Sequence, residues 1–310
     1  MFKTIVVGVD GREGGRDALS LAERLARMSG ADLVALRVLP FDYYPTRSAS
    51  PSFAEVADAD ARKELAEEIA RAGVQARVRL QGDSSPARAL HRVAEEEHAG
   101  LIVVGSTHHG RAGRVLAGDH AAGTIHASSC PVAVAPRGFA GRGWGPVTRI
   151  GVGFDGRPEA RQALDLAIGL AHDCGATIEV TSVIGAPIAE VEAGVYDPEW
   201  LEQARADAEE ELKTALVDAD VDVSPGVFAG TAIEELTDLS SRVDLLVVGS
   251  RAWGPVRRIL VGSTAARLMR QAHCPVLVLP RGAATGQPGE QDDGARADTS
   301  TLPNAVVKRL

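Results

Sequence analysis

Short apolar runs alternate with amphipathic segments along the whole chain. The run from Thr4 to Val9 is rich in β-branched residues and predicts a strand. The next segment, Ala18 to Met28, carries apolar residues three and four positions apart and predicts a helix. The apolar run from Leu101 to Gly105 predicts a central strand, and Ala112 to Ala127 predicts a further helix. Strands that alternate with helices indicate an α/β fold with a parallel sheet and right-handed crossovers.

The same order of elements occurs twice. The run Val-Val-Gly-Val-Asp-Gly that ends at Gly11 returns as Gly-Val-Gly-Phe-Asp-Gly ending at Gly156, and Val-Val-Gly-Ser at 103–106 returns at 247–250. A period this long exceeds the roughly 20 to 50 residues of solenoid repeats, so it indicates a duplicated domain. We predict a first copy over residues 1–138, a linker at 139–147, a second copy over 148–282 and a disordered, Gly- and Asp-rich tail at 283–310.

Composition narrows the class of protein. A chain of 310 residues with 45% hydrophobic residues can build two cores of ordinary domain size. The net charge of −9 disfavours a nucleic-acid partner, because phosphate backbones favour a basic surface. No apolar run approaches the roughly 18 residues of a membrane span, the N-terminus lacks the features of a signal peptide, and the cysteine spacings indicate no disulfide framework. We therefore expect a cytoplasmic protein without a membrane partner.

Two strand ends in each copy carry candidate binding residues. In such sheets ligands bind beyond the carboxyl ends of the strands, where the strand order reverses. Asp155 and Gly249 follow the first and fourth strands of the second copy, as Asp10 and Gly105 do in the first. Glycine lets backbone N–H groups approach a phosphate, and a carboxylate suits a ribose hydroxyl. A nucleotide site is one interpretation; a structural turn, with the acids as helix caps, is the other.

The second copy carries the fuller set of candidate phosphate-binding residues. In order they are Gly249, Ser250, Arg251, Ala252, then after nine residues Gly262, Ser263 and Thr264. This arrangement resembles the universal stress protein family, whose signature is Gly, two residues, Gly, nine residues, Gly, then Ser or Thr. Only Ala252 departs from that signature. The resemblance covers residues 2–138 and 148–282, and the chain is similar to the tandem type common in actinobacteria.

The resemblance implies both a fold and a function. The fold is two tandem adenine-nucleotide α-hydrolase-like (Rossmann-like) domains, each a doubly wound five-stranded parallel sheet with helices on both faces, packed as a pseudo-dimer through the final strands. The function is a nucleotide-dependent stress or signalling regulator that binds ATP with magnesium and acts on an unidentified protein partner. Asp155 takes the place of the family's acid, and Val183, with Val38 in the first copy, takes that of the apolar residue beside adenine.

The first copy departs from the signature. Gly105 and Gly118 are kept, but His108 replaces the second glycine and Asp119 replaces the hydroxyl residue. A carboxylate there repels a triphosphate, by on the order of 1 kcal/mol at ~4 Å in water, so we predict that ATP binds mainly in the second copy. Because His108 and its neighbour His109 have no histidine counterpart in the second copy, we expect solvated loop residues and no metal site.

Alternatives to this function remain open at the level of sequence. The phosphate loop of the related ATP pyrophosphatases is absent after Asp10 and Asp155, and no Ser-His-Asp order or HExxH-type run occurs, so we expect no dedicated enzymatic activity. A nucleotide-free, dimer-like scaffold or adaptor and a weak ATPase are the alternative functions that the sequence leaves. It also leaves open whether the tandem chain forms a homodimer.

Overall fold

Each copy folds as a parallel sheet of five strands with helices on both sides. The computed structural model describes residues 2–39, 51–107, 113–126, 128–185, 197–250 and 263–279, with the backbone alone at 51–55, 119, 120 and 263. The strands of the first copy are β1 (Thr4–Gly8), β2 (Asp32–Leu39), β3 (Arg77–Gly82), β4 (Leu101–Gly105) and β5 (Val132–Ala135). Its helices are α1 (Glu13–Ser29), α2 (Pro51–Arg71), α3 (Pro86–Glu96) and α4 (Asp119–Ile125).

The second copy repeats these elements. Its strands are β6 (Arg149–Phe154), β7 (Thr177–Ile184), β8 (Val223–Ala229), β9 (Leu245–Gly249) and β10 (Val276–Leu279). Its helices are α5 (Pro158–Cys174), α6 (Pro198–Ala215), α7 (Ala232–Arg242) and α8 (Ser263–Gln271). Among the helices described, none has both the length and the apolar character that crossing a bilayer requires.

The two copies share one sheet of ten strands. The strand order is β3-β2-β1-β4-β5-β10-β9-β6-β7-β8, in which all neighbours are parallel except the central pair. At the centre β5 and β10 run antiparallel, with Ala133 opposite Leu277. Each final strand therefore satisfies the open edge of the other. The predicted fold class is confirmed: two doubly wound five-stranded sheets joined as a pseudo-dimer.

Two hydrophobic cores cover the two faces of this sheet. Because side chains alternate along a strand, Ile5 and Val7 join one core while Val6 joins the other. The first core contains α1, α2, α5 and α6, and the second contains α3, α4, α7 and α8. Both cores run without interruption from one copy into the other, and α1 packs on α5 across the joint.

The predicted linker is packed against α1. The buried carboxylate of Asp17 accepts hydrogen bonds from the backbone N–H groups of Gly138 (2.8 Å) and Ala140 (2.9 Å), and burial raises its pKa. The ring of Phe139 stacks on Trp144, with 5.1 Å between the centroids, and the Arg24 guanidinium lies 5.0 Å from the centroid of Phe139. The chain between the copies is thus held by specific contacts.

One predicted element differs from the structure. The sequence pattern predicts a helix from residue 112, but α4 begins at Asp119. Gly113 has a positive φ of 79°, which interrupts a helix. The N–H of Gly113 donates to the carbonyl of Arg137 at 2.7 Å, and the N–H of Arg137 donates to the carbonyl of Arg114 at 3.1 Å. Residues 113–117 therefore run beside the end of β5 before α4 starts.

Candidate functional site

A cavity of about 240 Å³ opens at the carboxyl ends of β6 and β9, where the strand order of the second copy reverses. Five of the residues predicted from the sequence line it: Asp155, Val183, Gly249, Ser250 and Thr264. Arg251, Ala252 and Gly262 lie outside the described residues, and Ser263 is described by its backbone alone. The structure thus brings residues from four separate stretches of the second copy to one cavity.

Asp155 stands at the mouth of the cavity. One carboxylate oxygen accepts a hydrogen bond from the backbone N–H of Arg157 at 3.2 Å, which fixes the turn into α5. The other oxygen lies 3.7 Å from Nε of Arg157, and 58% of the Asp155 side chain is exposed. The carboxylate is therefore oriented by the backbone and keeps acceptor capacity for a hydroxyl group of a ligand.

Gly249 is required where the strand end meets a helix. A Cβ atom at this position would lie 2.7 Å from the backbone carbon and oxygen of Glu159, in the first turn of α5. The same approach occurs in the first copy, where a Cβ on Gly105 would lie 1.9 Å from the carbonyl oxygen of Gly14. The first glycine of the signature thus has a packing role in both copies.

The serine after this glycine is used differently in the described parts of the two copies. In the first copy the Ser106 hydroxyl donates to the carbonyl of Ala135 (2.7 Å) and accepts from the N–H of Leu116 (3.0 Å). In the second copy the buried Ser250 hydroxyl has no hydrogen-bond partner among the described residues. Leu260, which repeats Leu116, lies outside them.

Several lining residues are not apparent from the sequence. They are Phe154, Arg157, Glu159, Thr181 and Leu236. Thr181 precedes Val183 by two positions on the same face of β7, so the alternation of a strand could have indicated it. Glu159 is only 4% exposed, which a position in the first turn of a helix does not suggest. Two carboxylates and one guanidinium thus line the described part of the cavity.

The first copy has a different set of charges below its acid. Asp10 accepts from the N–H of Arg12 at 3.0 Å, just as Asp155 does from Arg157. Beneath this turn the guanidinium of Arg37 contacts Glu64 at 2.8 Å and the buried Glu68 at 3.7 Å, and burial raises the pKa of Glu68. The second copy has Ser182 in place of Arg37.

Two further residues predicted in the first copy, Val38 and Gly118, are described by the structure. Val38 packs against the core that contains α3, and it pairs with Gln81 in the β2–β3 register. Gly118 stands just before α4, where an added Cβ would lie 3.1 Å from Cβ of Thr107. Its φ of −74° is open to any residue, so among the described residues it is the space beside Thr107 that restricts this position.

The interpretation of the loop histidines falls outside what the structure describes. His108 and His109 are not among the described residues, and the side chains of Asp119 and His120 are not described either. Within the described part of the chain, no three His, Cys, Asp or Glu side chains are grouped as metal ligands.

Known proteins share this organisation over nearly the whole chain. The pattern of the universal stress protein family matches residues 1–136 and again 146–280. Universal stress protein Rv2319c of Mycobacterium tuberculosis and universal stress protein Mb2346c of Mycobacterium bovis are each 30% identical over 300 residues, covering 89% of this chain and 99% of the relative. A universal stress protein structure from Archaeoglobus fulgidus has a TM-score of 0.63 at 19% identity, covering 90% of this chain and 98% of that one. The chain therefore belongs to the universal stress protein family, in its tandem two-domain form.

Proposed function

We propose that the protein is an ATP-dependent regulator whose main nucleotide site is the cavity of the second copy. The observation that carries this proposal is the meeting of Asp155, Gly249 and Thr264 in one cavity at the switch point of the sheet. Ligand occupancy there would govern the binding of a protein partner. The alternative is a scaffold that binds no nucleotide at this site. Nucleotide binding is therefore the property that distinguishes the two functions.

The lining residues suit the parts of a nucleotide. Val183 and Leu236 supply apolar surface for a base, and the exposed Asp155 carboxylate can accept from a ribose hydroxyl. The buried Ser250 hydroxyl can donate to a phosphate oxygen. At about 240 Å³ the cavity lies below the roughly 300 Å³ at which pockets for drug-sized ligands begin, so we expect the phosphates to extend beyond it.

The charge of the cavity supports magnesium as part of the ligand. Asp155 and Glu159 carry negative charge, and Arg157 carries the one positive charge among the described lining residues. A triphosphate brought near two carboxylates needs a counter-charge, which a bound Mg²⁺ supplies. We accordingly propose ATP with magnesium as the ligand, with Arg251 as a further cation near the phosphates.

The two turns that carry Asp155 and Asp10 offer a matched pair of substitutions. Asparagine keeps the hydrogen bond to the N–H two residues on and removes the charge, so either variant should fold. In titration calorimetry of the full chain with Mg-ATP, we expect Asp155→Asn to weaken the tight site about 10- to 100-fold, the loss typical of a charged hydrogen bond. Asp10→Asn should leave that tight site within about twofold of wild type.

The outcomes separate the alternatives. No binding of Mg-ATP by wild type would favour the nucleotide-free scaffold. If the tight site is lost in Asp10→Asn and kept in Asp155→Asn, the main nucleotide site is in the first copy. Repeating the wild-type titration with excess chelator tests the metal, since we expect affinity to fall when Mg²⁺ is withdrawn.

A further inference from the structure

A short segment of the first copy reaches across the joint onto a helix of the second. This capping segment, residues 113–118, donates from the backbone N–H of Val115 to the carbonyl of Ala272 and from that of Ala117 to the carbonyl of Met269, each at 2.9 Å. The Arg114 guanidinium donates to the carbonyl of Gln271 at 3.0 Å. Three donors from one copy thus meet three carbonyls of the other.

The carbonyls of Met269 and Gln271 lie in the last turn of α8, and Ala272 directly follows the helix. The last four carbonyls of a helix lack partners within the helix, and the end carries partial negative charge. Here the other copy supplies the missing donors, including one cation. The end of α8 is therefore held by contacts that the second copy alone does not possess.

The opposite end of α8 belongs to the cavity. Thr264, Ala265 and Leu268 line it, and Leu268 is fully buried. The helix has nine residues, which makes it about 14 Å long. Rigid secondary elements can carry coupling between two sites, so the hold on one end of this helix bears on the position of the side chains at the other.

The capping segment is also tied to the strand end of its own copy. The N–H of Thr107 donates to the carbonyl of Leu116 at 2.8 Å, and the N–H of Leu116 donates to the Ser106 hydroxyl at 3.0 Å. The segment therefore connects the end of β4 directly to α8 through an unbroken series of hydrogen bonds.

We infer that the capping segment of the first copy is a positioning element for the nucleotide cavity of the second, with Arg114 as its side-chain contact. The inference rests on the proposed function, because it concerns the ligand affinity of that cavity. The first copy then contributes to binding in the second even where it holds no nucleotide itself.

Substitution of Arg114 in the full chain tests this inference. We expect Arg114→Ala to weaken Mg-ATP binding about 2- to 30-fold, the range for a residue that modulates coupling between two sites without contacting the ligand. Arg114→Lys keeps a cation near the helix end and should recover part of the loss. The control is Arg77→Ala. Arg77 lies on the outer strand β3 and is paired with Glu97, so its removal takes away an equal charge and should leave the affinity for Mg-ATP unchanged.

The difference in hydrogen exchange between two pairs of amides in wild type gives a readout that general stabilisation of the fold would not move. Saturating Mg-ATP should slow exchange at the amides of Val115 and Ala117. It should leave unchanged the amides of Ala99 and Gly100, which are hydrogen-bonded within the first copy alone.

The results distinguish failure of the inference from failure of the proposed function. If wild type binds Mg-ATP, but Arg114→Ala binds equally well and exchange at Val115 and Ala117 does not change, the positioning role is wrong and the nucleotide site stands. If exchange slows equally at all four amides, the effect is general stabilisation and the positioning role is again wrong. If wild type binds no nucleotide, both proposals fail together.

Discussion

At the scale of single residues, the glycines at the ends of β4 and β9 have a packing role that does not depend on the predicted ligand. The sequence pattern associates Gly249 with a phosphate, but the first turn of α5 already occupies the space where its side chain would be. A residue needed for packing is needed with or without a ligand. The same holds for Gly105, whose copy has lost other parts of the signature.

We predict that Gly249→Ala lowers the free energy of unfolding by about 1–3 kcal/mol, because the added methyl group overlaps the backbone of Glu159. Gly145→Ala is the matched control: an added Cβ there has no atom within 4 Å, so the change should stay within about 0.5 kcal/mol. Urea unfolding without nucleotide measures both. An alanine variant as stable as wild type that fails to bind ATP would assign Gly249 to the ligand alone.

Repetition made some residues of the cavity predictable. Gly249 ends a strand, and Asp155 and Ser250 directly follow strands, whose sequences recur in both copies, so their place at the carboxyl edge of the sheet could be inferred. Glu159 and Leu236 could not, because their exposure depends on how helices from distant parts of the chain lie against β9 and β6. Burial of a charged residue at a helix start is a property of tertiary packing.

At the scale of elements, the start of α3 is fixed by one carboxylate. Asp83 accepts from the N–H of Ser85 at 2.9 Å and from the guanidinium of Arg88 at 2.8 Å, and Arg92 lies 3.2 Å away. The hydrogen bond from Arg88 is the main cause that lowers the pKa of Asp83 to about 2. This element carries Leu90, which is buried in the second core, so the carboxylate helps to hold α3 against the sheet.

We predict a pH-dependent cost of Asp83→Asn. A lowered pKa means that the ionised form stabilises the fold, so the benefit is complete above the ordinary pKa near 3.8 and is lost as the pH falls towards 2. The difference in unfolding free energy between wild type and Asp83→Asn should therefore be larger at pH 7 than at pH 2.5. Asp60→Asn, an exposed position on α2, serves as the control. An equal difference at both pH values would contradict the assigned cause.

Element boundaries follow from local sequence only where local forces decide them. Pro86 after Ser85 marks the start of α3, and the structure begins the helix there. The helix predicted from Ala112 fails because residues 113–117 hydrogen-bond to the end of β5 and to α8 instead. No sequence pattern within residues 113–117 predicts hydrogen bonds to Met269 and Ala272, which lie some 150 residues away in the chain.

At the scale of the whole molecule, the two copies share their cores as well as their sheet. Apolar residues of both copies belong to each of the two clusters, and the central pair of strands is fully buried. This joint was predicted from the resemblance to the universal stress protein family, with which the apolar final strands of both copies agree. The packing of the linker on Asp17 was not predictable, because it depends on contacts between residues more than 120 positions apart.

We predict that the full chain unfolds in one cooperative transition. In calorimetry without nucleotide, the ratio of calorimetric to van't Hoff enthalpy should be about 1, since neither core can open without exposing the other copy. Leu277→Lys places a charge at the centre of β10, opposite Ala133, and should broaden or split that transition. Two separate transitions in wild type would show that the copies fold independently.

The antiparallel joint of β5 and β10 has a consequence for how this protein can change through evolution. In a homodimer every substitution occurs in both subunits, so a residue that improves one site alters the other equally. Here both partners are encoded in a single reading frame, and each can mutate alone. The first copy has Asp119 where the second has Ser263, and Arg37 where the second has Ser182. Identical subunits could never display such differences. Covalent fusion thus turns a symmetric pair into one in which the halves are free to specialise.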